Sequence, residues 1–277
     1  MISNLKVCSE DLKKSSVIAV IAGQGNLPNK IIDKLQELKR NYVVVSIEGF
    51  GPKEYEIFSI GEIGRILEFL KTSNVSEIVF CGSVKRPSLL SLKLDDVGKQ
   101  WLRYLGVRAF LGDDALLKGI KKLLANEGLK VISPQNIIET LLSPKGILTD
   151  ARPTDLDLQD IARGLFVLNT LSKTDIGQSV IVQEGVIIGI EAAEGTNNLI
   201  RRCIEFKVSQ RGGVLVKTAK LNQDRDLDLP TIGKQTIIEA HKARLVGIAI
   251  GAEQSQIIDF EATIKLANKL SLFVLGV

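Results

Sequence analysis

The first half of the chain alternates between strand-like and helix-like patterns, and this alternation constrains the fold more than any other feature. Apolar runs bounded by glycine or polar residues predict strands at 16–23, 42–47, 77–82 and 129–133. Apolar residues at helical spacing predict helices at 28–40, 63–72 and 113–126. Because such alternation forms right-handed βαβ units, we predict an N-terminal Rossmann-like domain built on a parallel sheet.

The second half of the chain predicts a different α/β unit. A long helix is expected at 156–173, and two strands within 179–195 are expected to turn at Glu184 and Gly185. Further strands are predicted at 213–217 and 245–251, and helices at 235–243 and 260–270. The segment from Ser133 to Pro153 is the predicted hinge, so we expect two domains, residues 1–134 and 135–277, with catalysis and lipid binding in the second.

Composition narrows the classes of function. The chain has 277 residues, 45% hydrophobic and 25% charged, which is typical of a globular protein. Its net charge of +4 suits a phosphorylated ligand or an anionic membrane surface. With 5% aromatic residues and no basic stripe, nucleic acid is not expected as a partner.

The three cysteines are scattered and form no CxxC motif, which favours a reducing compartment. No apolar run approaches the roughly 20 residues that span a bilayer. We therefore expect a cytoplasmic protein that can contact a membrane surface.

The stretch IAGQGNLP places Gly23, Gly25 and Asn26 between a strand and a helix. In an open parallel sheet this turn commonly binds phosphate, because the helix N-terminus presents free backbone N–H groups. Pro28 occupies the third small position of the dinucleotide fingerprint and breaks that motif. The turn therefore favours a nucleotide or phosphate over a nicotinamide cofactor, and a purely structural turn is the competing interpretation.

A second loop, GSVKRPSLL, follows the third predicted strand. Gly82, Ser83, Lys85 and Arg86 should emerge at the same carboxyl edge as the glycine turn. Two cations and a hydroxyl beside glycines could bind a diphosphate. The alternative is that Lys85 and Arg86 are solvated loop charges.

The stretch QDRDLDLPTIG contains three acids, Asp224, Asp226 and Asp228. Helix N-terminal signals explain one acid, whereas an extended segment with this spacing would place all three on the same side. Oxygen ligands of this kind suit Mg²⁺ or Mn²⁺. A single histidine, His241, and scattered cysteines exclude a zinc site, so the residues favour metal-assisted attack of water on a phosphoryl group.

Seven motifs follow in order across nearly the whole chain: IAGQGNLP, CGSVKRPSL, GDDALL, DIARGL, DIGQSVIVQEGVIIGIEAAEGT, GGVLVK and QDRDLDLPTIG. Together they resemble the UDP-2,3-diacylglucosamine pyrophosphatases of the LpxI type, enzymes of lipid A biosynthesis. The resemblance implies a magnesium-dependent hydrolysis of an amphiphilic UDP-sugar lipid to UMP and 2,3-diacylglucosamine 1-phosphate (lipid X). It also implies that water attacks the phosphorus on the sugar side. Transient contact with the membrane surface, as a peripheral protein of the inner membrane, and a homodimer are further expectations.

The resemblance assigns site residues by motif. It maps the essential aspartate to Asp224, with Asp228 as second choice, and both are the expected metal ligands. The remaining expected contacts with the diphosphate and nucleotide are Lys217, Gln223, Arg225, Glu191, Glu194, Gly195 and Thr196. The alternatives are a nicotinamide-dependent oxidoreductase and a non-catalytic nucleotide-sensing module, both using the Gly23/Gly25 turn.

Overall fold

The computed structural model describes residues 16–85, 92–106, 113–174, 176–209, 212–221, 223–224, 226–227 and 229–277. The chain divides into two compact units, Met1–Ile138 and Glu139–Val277. Each unit has its own sheet, the first parallel and the second mixed, so the predicted two-domain α/β fold class is confirmed. Within the described ranges, no helix is both long and apolar enough to cross a membrane.

The first domain is built on a five-stranded parallel sheet in the order β3-β2-β1-β4-β5. Its strands are β1 (Val17–Ala22), β2 (Tyr42–Ile47), β3 (Ile57–Phe58), β4 (Val75–Cys81) and β5 (Lys130–Ile132). Its helices are α1 (Leu27–Glu37), α2 (Ile63–Thr72), α3 (Asp96–Leu105) and α4 (Asp113–Asn126), followed by a 3-10 helix at Pro134–Asn136. This strand order places its reversal between β1 and β4, as in doubly wound sheets.

Helix α1 illustrates why the first domain folds as its sequence suggests. Ile31, Ile32 and Leu35 lie on one face and are buried, whereas the polar positions between them face solvent. Pro28 lies in the first turn, where its missing N–H costs no helical hydrogen bond. The helix therefore starts directly after the glycine turn that follows β1.

The second domain contains a six-stranded mixed sheet in the order β6-β13-β11-β9-β7-β8. Its strands are β6 (Gly146–Ile147), β7 (Ser179–Gln183), β8 (Val186–Ile190), β9 (Val214–Lys217), β11 (Gly247–Ile250) and β13 (Phe273–Gly276). β10 (Thr231–Ile232) and β12 (Gln256–Ile257) form a separate parallel pair. The helices are α5 (Asp155–Leu171), α6 (Thr196–Arg202), α7 (Lys234–Lys242) and α8 (Phe260–Lys269), with 3-10 helices at Glu139–Leu141, Ser172–Thr174 and Cys203–Phe206.

Helices cover both faces of this second sheet. On one face, Leu215 packs in a core with residues of α6, α7 and α8. On the other, Val214 and Val216 pack with Ile161 and Leu168 of α5. Because alternate residues of a strand face opposite sides, the fully buried strand β9 serves both cores. Its last residue, Lys217, reaches the carboxyl edge of the sheet.

Candidate active site

The glycine turn and the second loop meet at the reversal point of the first sheet. The backbone N–H of Gln24 donates to the Ser83 carbonyl at 2.8 Å, and the Ser83 N–H donates to the Gln24 carbonyl at 2.9 Å. Gly23 also donates to the Cys81 carbonyl at 2.9 Å. The loops after β1 and β4 are therefore joined by backbone hydrogen bonds where ligands bind in open α/β sheets.

This close approach requires glycine. Gly82 has a φ of +82°, and a Cβ there would lie 2.7 Å from the Gln24 carbonyl oxygen. Gly25 has a φ of +109° but open space around it. Asn26, Ser83 and Lys85 are exposed at this edge. Arg86 lies outside the described residues, so its predicted role stays a prediction.

A buried polar chain links three predicted site residues in the second domain. The Lys217 Nζ donates to Thr196 Oγ1 at 2.6 Å, and Thr196 Oγ1 donates to Glu191 Oε1 at 2.9 Å. Lys217 is 6% exposed and Glu191 7% exposed. A buried charge is costly unless it is paired, and here one hydroxyl connects the ammonium to the carboxylate. The sheet brings these residues together because Ser179, at the start of β7, pairs with Lys217 in the antiparallel register.

Glu191 carries the most informative atom of this chain. Its Oε2 is buried and has no hydrogen-bond partner, although Oε1 accepts from Thr196. Gly177, with a φ of +51°, packs so closely on the Glu191 backbone carbonyl that any side chain there would collide with it. The backbone at Glu191 is therefore closely packed, and Oε2 offers a buried acceptor to a ligand donor or cation.

Other buried polar atoms without partners occur beside the same strand ends. Gln178 Oε1 and Asn197 Oδ1 belong to this group, and their residues adjoin Ser179 and Thr196. Ser255 Oγ is a third, and it lies 3.2 Å from where a Cβ on Gly251 would stand. Sequence reasoning missed all three residues, because a lone amide or hydroxyl in a loop gives no signal. Only the register of β7 against β9 could have indicated Gln178.

The described residues Asp224, Asp226 and Leu227 of the acidic loop are joined by turn hydrogen bonds and do not lie in a strand. The Asp226 N–H donates to Asp224 Oδ1 at 2.9 Å, and the Leu227 N–H donates to the Asp224 carbonyl at 3.2 Å. Asp side chains commonly accept from the backbone two residues on, which closes such turns. The burial of Leu227 and Leu229 anchors the loop to the domain. Strand alternation therefore does not decide how the side chains of Asp224 and Asp226 are oriented.

The start of the acidic loop is closed by Gln223. Its Oε1 accepts from the Lys220 N–H at 3.0 Å, and its own N–H donates to the Lys220 carbonyl at 3.1 Å. At the far end, the Gln256 N–H donates to the Pro230 carbonyl at 2.7 Å. Asp224 is half-buried between these fixed points. Arg225 and Asp228 lie outside the described residues.

Asp224 and Asp226 are the carboxylates of this loop that lie among the described residues. Across the described part of the chain, no three His, Cys, Asp or Glu side chains converge to hold an ion. Mg²⁺ is often bound through one or two carboxylates completed by waters and substrate phosphates. The half-buried Asp224 fits that donor chemistry, whereas its predicted companion Asp228 is undescribed.

Glu194 has a different environment from Glu191. Its carboxylate accepts from Arg202 Nε at 2.9 Å and from the Ala192 N–H at 2.9 Å. Burial raises the pKa of Glu194, but these hydrogen bonds outweigh burial and hold it below its ordinary range. Gly195, at a φ of +80°, then precedes the first residue of α6, Thr196. Glu194 thus stabilises the turn that precedes Thr196.

The fold and the site define a two-domain α/β protein with polar groups at the carboxyl edges of two separate sheets. The LpxI N-terminal domain model matches residues 17–141, and the LpxI C-terminal domain model matches residues 144–275. The chain belongs to the LpxI family. It is 34% identical over 271 residues to the UDP-2,3-diacylglucosamine pyrophosphatase LpxI of Caulobacter vibrioides, covering 94% of this chain and 97% of that protein.

Proposed function

We propose that the protein hydrolyses UDP-2,3-diacylglucosamine to UMP and 2,3-diacylglucosamine 1-phosphate, as a step of lipid A biosynthesis at the cytoplasmic side of the membrane. The observation that carries the proposal is the similarity, over nearly the full length of both chains, to a protein named for this activity. The buried Lys217 ammonium and the half-buried Asp224 carboxylate supply the charge types that diphosphate hydrolysis requires.

In the proposed reaction, water adds to the phosphorus on the sugar side and the P–O bond to the UMP phosphate breaks. Negative charge on the phosphoryl oxygens is neutralised by Lys217, which is held in place through Thr196 and Glu191. The Asp224 carboxylate orients the water and accepts its proton. Arg225 is proposed as a further cation at the diphosphate.

The uridine end is proposed to bind at the loops of the first domain. The exposed glycine turn offers backbone N–H groups at the start of α1, and Lys85 adds a cation. Asp224 and Asp228 would hold Mg²⁺ or Mn²⁺, which would supply further neutralisation of phosphate charge when bound. If calorimetry showed that the protein binds NAD and does not bind UMP, the oxidoreductase alternative would be favoured.

The catalytic assignment is tested by release of UMP from micellar substrate, with Asp224→Asn compared with Asp226→Asn. Asparagine keeps the Oδ1 acceptor that closes the turn at Asp224, but it removes the carboxylate charge. We expect Asp224→Asn to lower kcat at least about 100-fold and Asp226→Asn to change it only slightly. Equal activity of Asp224→Asn and wild type would contradict the assignment.

The metal and the attacked phosphorus are tested with the wild-type protein. Chelator should abolish turnover, and added Mg²⁺ or Mn²⁺ should restore it. In water labelled with heavy oxygen, the label should appear in the sugar phosphate and not in UMP. Label in UMP would show that water attacks the phosphorus on the uridine side. Full activity in the presence of chelator would contradict the proposed metal requirement.

A further inference from the structure

A short segment of the second domain, residues 203–209, holds three large apolar side chains in solvent. Ile204 is 46% exposed, Phe206 62% and Val208 53%. Single exposed apolar residues are normal on protein surfaces, but three within five positions form a patch that favours an interaction. We call residues 203–209 the Phe206 segment.

The Phe206 segment is held to the domain by hydrogen bonds. The Lys207 Nζ donates to the carbonyls of Ala243 and Arg244, both at 2.9 Å. These carbonyls lie just beyond α7, where a cation is favoured by the helix dipole. The Lys207 side chain points toward the domain, whereas its neighbours Phe206 and Val208 are exposed to solvent.

A second anchor lies at the end of the segment. Gln183, which is buried, accepts from the Val208 N–H at 3.0 Å and donates to Ser209 Oγ at 2.7 Å. At the start of the segment, the buried Cys203 packs in the core. The exposed apolar side chains are therefore displayed by an anchored backbone, which reduces the ordering cost of binding.

Cationic residues lie next to the Phe206 segment in sequence and at the helix end that anchors it. Arg201 and Lys242 both pair with Glu239, which ties the residues before the segment to the end of α7. Residues 201–209 and 242–244 carry five cations, Arg201, Arg202, Lys207, Lys242 and Arg244, and one carboxylate, Glu205. Glu239 and Glu194 pair with three of these cations, and Lys207 turns to the Ala243 and Arg244 carbonyls, so the group keeps a net positive charge. This excess complements the negative surface potential of an anionic bilayer.

We propose that the Phe206 segment docks the protein on an anionic lipid surface, with Phe206 and its apolar neighbours inserted among the headgroups. Apolar residues flanked by Lys and Arg are typical of segments that lie in the membrane interface, whereas the cores of protein interfaces are depleted of charge. The diacylated substrate makes a bilayer the relevant surface, and in that respect alone the inference rests on the proposed function.

The test is co-sedimentation of the full-length protein with substrate-free vesicles of phosphatidylcholine, with and without phosphatidylglycerol. We expect binding to need phosphatidylglycerol and to weaken about tenfold or more in Phe206→Ser. Lys242→Gln should weaken binding about fivefold. The matched control is Phe166→Ser, because Phe166 on α5 is 64% exposed but lies outside the segment.

Two outcomes would overturn the inference. One is absence of vesicle binding, or binding that Phe206→Ser leaves unchanged. The other is a dimeric mass in light scattering that becomes monomeric in Phe206→Ser without vesicle binding, which would make the segment an interface between two copies. UMP release in detergent micelles should be unchanged in Phe206→Ser, so failure of docking and failure of the proposed activity are separately visible.

Discussion

The hydroxyl of Thr196 joins two buried charges, and replacing it with a methyl group tests whether they act as a unit. Thr196→Val keeps the shape of the side chain but removes one acceptor of the Lys217 ammonium and the hydroxyl that donates to Glu191. Both oxygens of Glu191 would then lack a partner, since Oε2 already has none. The substitution therefore disturbs a cation and an anion with a small change in volume.

The expected loss of stability follows from the two hydrogen bonds that the substitution removes. A hydrogen bond to a charged group contributes about 1.5–3 kcal/mol, and the two losses are not independent. We expect the free energy of unfolding to fall by about 2–4 kcal/mol, measured by urea denaturation. If Lys217 neutralises the diphosphate as proposed, kcat/KM for UMP release should fall about 100-fold.

The controls separate chemistry from packing. Thr196→Ser retains the hydroxyl and should stay within about threefold of wild-type activity, a difference of less than 1 kcal/mol. Ser179→Ala should also be mild, because Ser179 Oγ lies at the long distance of 3.4 Å from Thr196 Oγ1. Additive losses for Thr196→Val and Lys217→Met in a double-mutant cycle would refute the claim that these residues act together.

Two further predictions concern stability. The Arg201 hydrogen bond lowers the pKa of Glu239 to about 2 from its ordinary 4.5, so the stabilisation is present above pH 4.5 and is lost as the pH falls toward 2. Glu239→Gln should therefore lower the free energy of unfolding at pH 7 by about 1–2 kcal/mol, a modest value because Arg201 is half-exposed to screening solvent. In urea denaturation at a series of pH values, the variant should also lose less stability than the wild type as the pH falls below 4.5. Gly82→Ala should cost about 2 kcal/mol or more in thermal unfolding through collision with the Gln24 carbonyl, whereas Gly25→Ala, with open space, should cost about 1 kcal/mol. An equal loss for both glycines would contradict this packing argument.

The sequence predicts most of the long elements of both domains because their signals are periodic, but the ten-residue helix α3 is not among the predicted elements. Strands such as β1 and β4 are apolar runs, and α1 repeats apolar residues at helical spacing. The two-residue strands β3, β6, β10 and β12 are too short to carry a period, and the four-residue β13 was also not predicted. Helix α6 was missed because seven residues with two buried side chains give little amphipathic pattern.

From the sequence, contacts between site residues can be predicted only where those residues follow two adjacent parallel strands. Gly23 and Ser83 lie together because β1 and β4 are adjacent parallel strands whose ends share an edge. The contact of Lys217 with Thr196 joins residues 21 positions apart and depends on the register of β7 against β9. The turn at Asp224 also escaped the spacing argument, because a local side-chain hydrogen bond competes with extended backbone.

The stretch EAAEGT shows why the same residue type at two nearby positions needs the structure to be interpreted. Glu191 and Glu194 are equivalent by composition, and both were expected near the site. Arg202 and a backbone N–H bind the carboxylate of Glu194, so its charge is used within the turn. Glu191 instead shares Thr196 with Lys217 and keeps one buried oxygen without a donor. Since an unpaired buried acceptor is costly unless a ligand completes it, Glu191 is the glutamate at which ligand recognition should be sought.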